Sequence, residues 1–181
     1  LLIPKPDFET KASYSVTVKS SDPAGEAYSK LFKIKVLDAN DAPTISSKYT
    51  TAVSENATFN YTFEATDVDA GDTVTYSASN LPSWLSFNAG TGALSGTPTN
   101  SEVGTHSVVL TATDGSGAVD TQSFTITVSN VNDTPTVTST AVTSVKEDSS
   151  YSYTFAASDV DSGDKITYAA TKLPSWLSID S

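Results

Sequence analysis

Apolar residues in the middle of the chain recur at every second position. Phe59, Tyr61, Phe63 and Ala65 alternate with Thr58, Asn60, Thr62 and Glu64, and Phe124, Ile126 and Val128 alternate with Thr125, Thr127 and Ser129. A period of two sends successive side chains to opposite faces of an extended backbone, so these stretches predict half-buried β-strands. No stripe of helical period runs through the chain, so no helix is predicted. The stretches 88–92 and 114–117, rich in Asn, Asp and Gly, supply the turns between strands.

The pattern returns. Residues 43–88 align with 135–180 without a gap at about half identity, which sets a period of about 92 residues. Glu55 falls on Glu147, Asp67 on Asp159 and Trp84 on Trp176, while Asp22, Phe32, Asn40 and Pro43 fall on Asp114, Phe124, Asn132 and Pro135. The chain therefore reads as one complete repeat, 44–134, between the C-terminal half of a repeat (1–43) and the N-terminal half of another (135–181). About seven short strands in about 90 residues predict an all-β fold of tandem immunoglobulin-like sandwiches. Trp84 and Trp176 each sit in Leu-Pro-Ser-Trp-Leu. The neighbouring leucines favour core packing for both over a role as sugar-stacking platforms.

Charge narrows the function. Ten Lys and Arg against 21 Asp and Glu give a net charge of −11, which repels nucleic acid and anionic membrane surfaces. The absence of cysteine excludes disulfides and thiolate metal sites. No apolar run reaches the roughly 20 residues that cross a bilayer, so no membrane insertion is expected. Two connectors between strand-rich blocks are dense in oxygen-bearing side chains, Asp38-Ala39-Asn40-Asp41-Ala42-Pro43 and Asn130-Val131-Asn132-Asp133-Thr134-Pro135. Both are too polar to bury and end in a proline. Oxygen ligands at this density suit a hard divalent cation, and Ca²⁺ above others.

These residues carry a resemblance. Asp7-Phe8-Glu9-Thr10-Lys11, Tyr14-Ser15-Val16-Thr17-Val18, Asp22 and the first connector resemble the C-terminal half of a cadherin repeat. Ala65-Thr66-Asp67-Val68-Asp69, Leu81-Pro82-Ser83-Trp84-Leu85, Thr91-Gly92-Ala93-Leu94-Ser95-Gly96-Thr97-Pro98 and Val131-Asn132-Asp133 are similar to the dystroglycan-type cadherin-like domain of bacterial surface proteins. The resemblance implies stacked sandwiches with Ca²⁺ held between them. For the first joint it nominates Asp7, Glu9, Asp38, Asn40, Asp41, Asp67, Asp69 and Asp114; for the second, Glu55, Asn100, Glu102, Asn130, Asn132, Asp133, Asp159 and Asp161. Seven of the first eight are carboxylates, which would repel one another without a cation. Asn130 replaces Asp38 and Asn100 replaces Asp7, so the second joint is expected to bind more weakly.

Other motifs carry less. Asp67-Val68-Asp69-Ala70-Gly71-Asp72 has the opening of an EF-hand loop, but Ala78 occupies the twelfth position and no helices flank it. His106, the single histidine, has no nucleophile or partner arranged around it, and no enzymatic activity is expected. Asn56, Asn60 and Asn132 head glycosylation sequons, and a glycan on Asn132 would disrupt the second joint.

The expectation is a calcium-stiffened, extracellular rod segment of a microbial adhesin or matrix protein, with neighbouring repeats or further copies as partners. Carbohydrate recognition of cell-surface glycans is a second reading. The half-repeats each need completion, because half a sandwich exposes strand edges and core side chains. Flanking repeats of a longer array would supply it. So would a second copy, residues 135–181 of one chain completing 1–43 of the next in a head-to-tail filament. In that arrangement Asp22 stands in for Asp114 and Glu147 for Glu55.

Overall fold

The computed structural model describes residues 5–179; the outermost residues of both half-repeats, 1–4 and 180–181, lie outside the described residues. Among the described residues thirteen strands form and the only helical turn is a short 3₁₀ segment, Asn100–Glu102.

The alternating stretches become strands as predicted. In the centre, β4 (Ala52–Ser54), β11 (Val119–Ser129), β10 (Gly104–Thr113) and β7 (Thr75–Ser79) make one sheet in that order. A second is formed by β5 (Phe59–Thr62), β9 (Ala93–Gly96) and β8 (Leu85–Asn88). A short pair, β3 (Thr44–Ile45) and β6 (Ala65–Thr66), closes one side. The inward residues of both sheets fill a single core: Phe59, Tyr61, Phe63, Leu85 and Leu94 meet Val108, Leu110, Ala112, Phe124 and Ile126. Each large side chain buried this way contributes about 1.5–3 kcal/mol. Tyr61 keeps its hydroxyl satisfied by donating to Gln122 Oε1 at 2.6 Å and bonding Ser47 Oγ at 2.6 Å. Trp84 packs against this core, edge-on to Phe59 and to His106, as the leucine context predicts. His106 lies 2.6 Å from the Glu102 carbonyl through Nε2, so its ring is committed to a structural contact.

Two glycines set how closely the second sheet packs. A Cβ on Gly96 would stand 2.0 Å from the Trp84 carbonyl oxygen, and one on Gly92, which has φ +69°, would stand 2.2 Å from that of Phe63. Gly96→Ala is therefore expected to destabilise the sandwich by about 1–3 kcal/mol, because backbone cannot yield as a side chain would. Chemical denaturation of the variant checks this.

The flanking segments repeat the geometry of the centre wherever both members of a strand pair are present. The hairpin β1 (Ser13–Ser21) and β2 (Ala27–Lys35) aligns Val16 with Phe32, as β10 and β11 align Val108 with Phe124. The pair β12 (Thr136–Val137) and β13 (Ala157–Ser158) reproduces β3 and β6. Turns repeat as well: φ is +60° at both Asn56 and Asp148, +98° and +99° at Gly71 and Gly163, and +97° and +93° at Gly25 and Gly117. By contrast, the segments matching β5, β7 and β8 near residues 151–154, 167–171 and 177–179 form no ladder. In the centre those strands pair with β9 and β10, whose counterparts lie in the first half-repeat.

Candidate cation sites at the two joints

At the first joint the connector leaves β2 without regular structure and is pinned by its own polar groups. The Asp41 amide donates to Asp69 Oδ2 at 2.8 Å, and Asn40 Nδ2 donates to Asp114 Oδ2 at 2.8 Å and to the Asp41 carbonyl at 2.9 Å. The Asp69 amide donates to Asp67 Oδ1, which orients that loop, and Gly71 in the left-handed region turns the chain so that Asp72 comes back beside both. Asp114 uses Oδ1 to accept the Ser116 and Ala118 amides of the β10–β11 turn, leaving Oδ2 for Asn40.

Two carboxylate triads result. Glu9, Asp38 and Asp69 each place one oxygen within 4.8 Å of the others, and so do Asp67, Asp69 and Asp72. Asp69 belongs to both, so the joint gathers five carboxylates. Burial raises the Asp72 pKa above the usual carboxylate range, and the charges of Asp114, Asp67, Asp69 and Asp38 add to the shift. A backbone amide pulls Glu9 down, but burial together with Asp7 and Asp38 leaves it raised. Asp114 goes the other way, lowered chiefly by the hydrogen bond from Asn40. Asp7 stands outside both triads; it accepts from the Thr10 hydroxyl at 2.7 Å and from the Glu9 amide, and these bonds lower its pKa. Asp41 contributes its amide, and its carboxylate joins neither triad.

The second joint repeats this arrangement with a different lower side. The Asp133 amide donates to Asp161 Oδ2 at 2.6 Å, the Asp161 amide to Asp159 Oδ1 at 3.0 Å, and Asn132 Nδ2 to the Asp133 carbonyl at 2.8 Å. Asn100 bridges Asp161 Oδ1 and Asn130 Oδ1 at 3.0 and 3.2 Å. The triads are Glu55, Asp133 and Asp161, and Asp159, Asp161 and Asp164, again five carboxylates. Burial raises Asp133, helped by Asp161, Glu55 and Asp159. Glu102 is drawn away from the joint: its carboxylate accepts the Thr99 hydroxyl at 2.6 Å and the Thr99 amide at 2.8 Å, which lower its pKa.

Three carboxylate oxygens in these clusters are buried without a hydrogen-bond partner, namely Glu55 Oε2, Asp67 Oδ2 and Asp69 Oδ1. Glu55 itself is only 2% exposed. Leaving a charged acceptor buried and unpaired is costly, whereas a divalent cation ringed by oxygens satisfies it. The donor set contains only oxygen, as Ca²⁺ requires.

Asp72 and Asp164 belong to the clusters but not to the set nominated from sequence. The signal was present: both close an Asp-x-Asp-x-Gly-Asp string and lie one 92-residue period apart. Judged only as a defective EF-hand, the string conceals that its third aspartate returns through the glycine turn.

Residues 42–129 and 134–181 match the protein-family model described as "Putative Ig domain" (He_PIG). The chain belongs to this family. As a He_PIG protein it is also 34% identical, over 110 residues, to a serine-rich adhesin for platelets of Staphylococcus aureus strain MRSA252. That alignment takes in 61% of this chain and 8% of the adhesin's length. Among solved structures, cadherin domains 1–4 of protocadherin gamma B7 superpose over 87% of this chain and 43% of that one, with a TM-score of 0.57 at 22% identity. Mouse cadherin-23 domains EC22–24 cover 69% of this chain and 44% of theirs, with a TM-score of 0.50 at 26% identity. The cadherin-like, tandem β-sandwich reading of the sequence agrees with both, and the He_PIG match places it among immunoglobulin-like domains.

Proposed function

We propose that this chain is a non-enzymatic segment of an extracellular rod in a microbial surface adhesin, and that Ca²⁺ bound at the two joints stiffens it. Residues 44–134 act as the complete repeat, with 1–43 and 135–181 as parts of its neighbours. The observation that carries the reading is the buried Glu55, whose Oε2 has no hydrogen-bond partner and whose carboxylate groups with those of Asp133 and Asp161, since a folded protein keeps such an oxygen where a cation can meet it. At the first joint Glu9, Asp38, Asp67, Asp69 and Asp72 are the ligands, with Asn40 and Asp114 orienting the connector and Asp7 and Asp41 holding local turns. At the second, Glu55, Asp133, Asp159, Asp161 and Asp164 are the ligands; Asn100, Asn130 and Asn132 position them, and Glu102 caps the 3₁₀ turn.

A stiff joint should protect its backbone. Amide exchange across 36–43 and 130–135 is expected to slow about tenfold in Ca²⁺ relative to chelator, equivalent to about 1.4 kcal/mol of local stability. Equal exchange in the two conditions would overturn the proposal.

A further inference from the structure

The two sheets of the central sandwich end in β7 and β8, which lie in one uncharged stretch of chain. Residues 73–101 hold no Asp, Glu or Lys, in a repeat whose residues 44–134 carry nine carboxylates and a single lysine, Lys48. β7 is an open edge. It pairs with β10 through five residues without a bulge, and among the described residues no turn or loop bonds to its other side. Along such an edge every second residue turns its N–H and C=O outward, a template for another strand unless shortness, proline or lysine blunts it. β7 has none of these. The opposite edge of the same sheet, β4, is three residues long and runs into Glu55.

The side chains of β7 suit a second copy of the same strand. Thr75, Ser77 and Ser79 are exposed on the outer face, whereas Tyr76 and Ala78 turn inward and are half-buried. Tyr76 is fixed in place: it meets Phe63 edge-on at 5.2 Å, and its hydroxyl accepts the Ala65 amide at 3.2 Å. Antiparallel pairing about Ser77 uses all five residues, sets Thr75 opposite Ser79 and the fixed Tyr76 ring opposite the small Ala78, and leaves Asp72 beyond the ladder. Hydroxyl pairs of this kind already occur further into the sheet, where Thr111 and Thr121 face each other with their Oγ1 atoms 3.4 Å apart.

We infer that two copies of this chain join through β7, antiparallel and related by a two-fold axis at Ser77, so that their two four-stranded sheets become one continuous sheet. Charge identifies the occupant. The chain carries −11, so copies that meet at its acidic ends repel, and the uncharged flank of 73–101 is where they approach without opposing like charges. A two-fold contact is also self-limiting, since each copy has used its β7 edge once the pair forms. It sets the two chains running in opposite directions, as rods reaching from facing surfaces do. That orientation draws on the rod reading above, whereas the pairing itself rests on the edge and owes nothing to calcium.

The chain has no cysteine, so a single Ser77→Cys substitution tests the pairing directly. At the two-fold axis the two Cβ atoms lie about 4.5–5.5 Å apart, within reach of a disulfide. With a mild added oxidant, in chelator and again in Ca²⁺, this variant should form a linked dimer at twice 18.9 kDa, and at least about tenfold faster than Thr125→Cys, an exposed position on β11 of the same sheet. Ser77→Lys and Ser77→Glu each set like charges face to face and should weaken the pairing of the cysteine-free chain about fivefold, read by sedimentation. Mixed together, the two variants should pair at least as well as the wild type. Both should keep the wild-type melting midpoint, because Ser77 is exposed on the outer face. Equal cross-linking at the two cysteine positions, or a mixture that pairs no better than its components, overturns the inference and leaves the edge to some other strand.

Discussion

Saturating Ca²⁺ raises the melting temperature of the central sandwich by roughly 10–20 °C over the same protein in chelator. The magnitude follows from linkage: a ligand at a hundred times its dissociation constant adds about 2.7 kcal/mol to the state that binds it. In a domain of this size each kcal/mol moves the midpoint by about 4–8 °C. Unfolding residues 44–134 dismantles both joints, because Asp67, Asp69 and Asp72 serve one and Glu55 serves the other. Glu55→Gln should remove the second joint's share of the increment and Asp67→Asn the first's. The two shares are expected to be comparable. The substitution of Asn130 for Asp38 in the connector suggests a weaker second joint, but the folded chain gathers five carboxylates at each, and Glu55 and Asp161 are buried where charge is less screened. In chelator, Glu55→Gln should leave the midpoint unchanged or raise it, since it removes one of three crowded carboxylates. Calorimetry of the wild type and both variants decides this, and a midpoint indifferent to Ca²⁺ would sink the joint assignment.

Trp84→Ala and Trp176→Ala, identical changes in identical pentapeptides, should differ by a wide margin. Trp84 packs on the central core against Phe59 and His106, so its loss opens a cavity costing about 3 kcal/mol and lowers the midpoint by more than about 10 °C. Trp176 is 63% exposed, and in dilute solution its removal should stay within about 0.5 kcal/mol. Equal midpoints for the two variants would show that the central core is not where the structure places it.

The carboxylate clusters were partly legible. Connectors rich in Asp and Asn announce oxygen chemistry by composition alone, and the period pairs Asp67 with Asp159 without reference to coordinates. Which carboxylates meet was not legible. Asp7 and Glu102 lie within a few residues of Glu9 and Asn100, yet each turns to a nearby threonine, a choice made by short-range hydrogen bonds. Asp72 enters by a turn whose closure depends on Gly71 taking a positive φ.

By itself the sequence determined the alternating strands with their inward faces and the turn positions that return at each period. These are local because alternation and turn chemistry are set by neighbouring residues. Only the tertiary structure decided whether an inward face has anything to face. Val16 and Val108 occupy equivalent strand positions, and so do Trp176 and Trp84, but burial depends on an opposing sheet. That sheet is present in the described structure for the central repeat, and two of the carboxylate clusters follow the same rule, since Glu9 and Asp38 meet Asp69, and Glu55 meets Asp133 and Asp161, only in the folded chain.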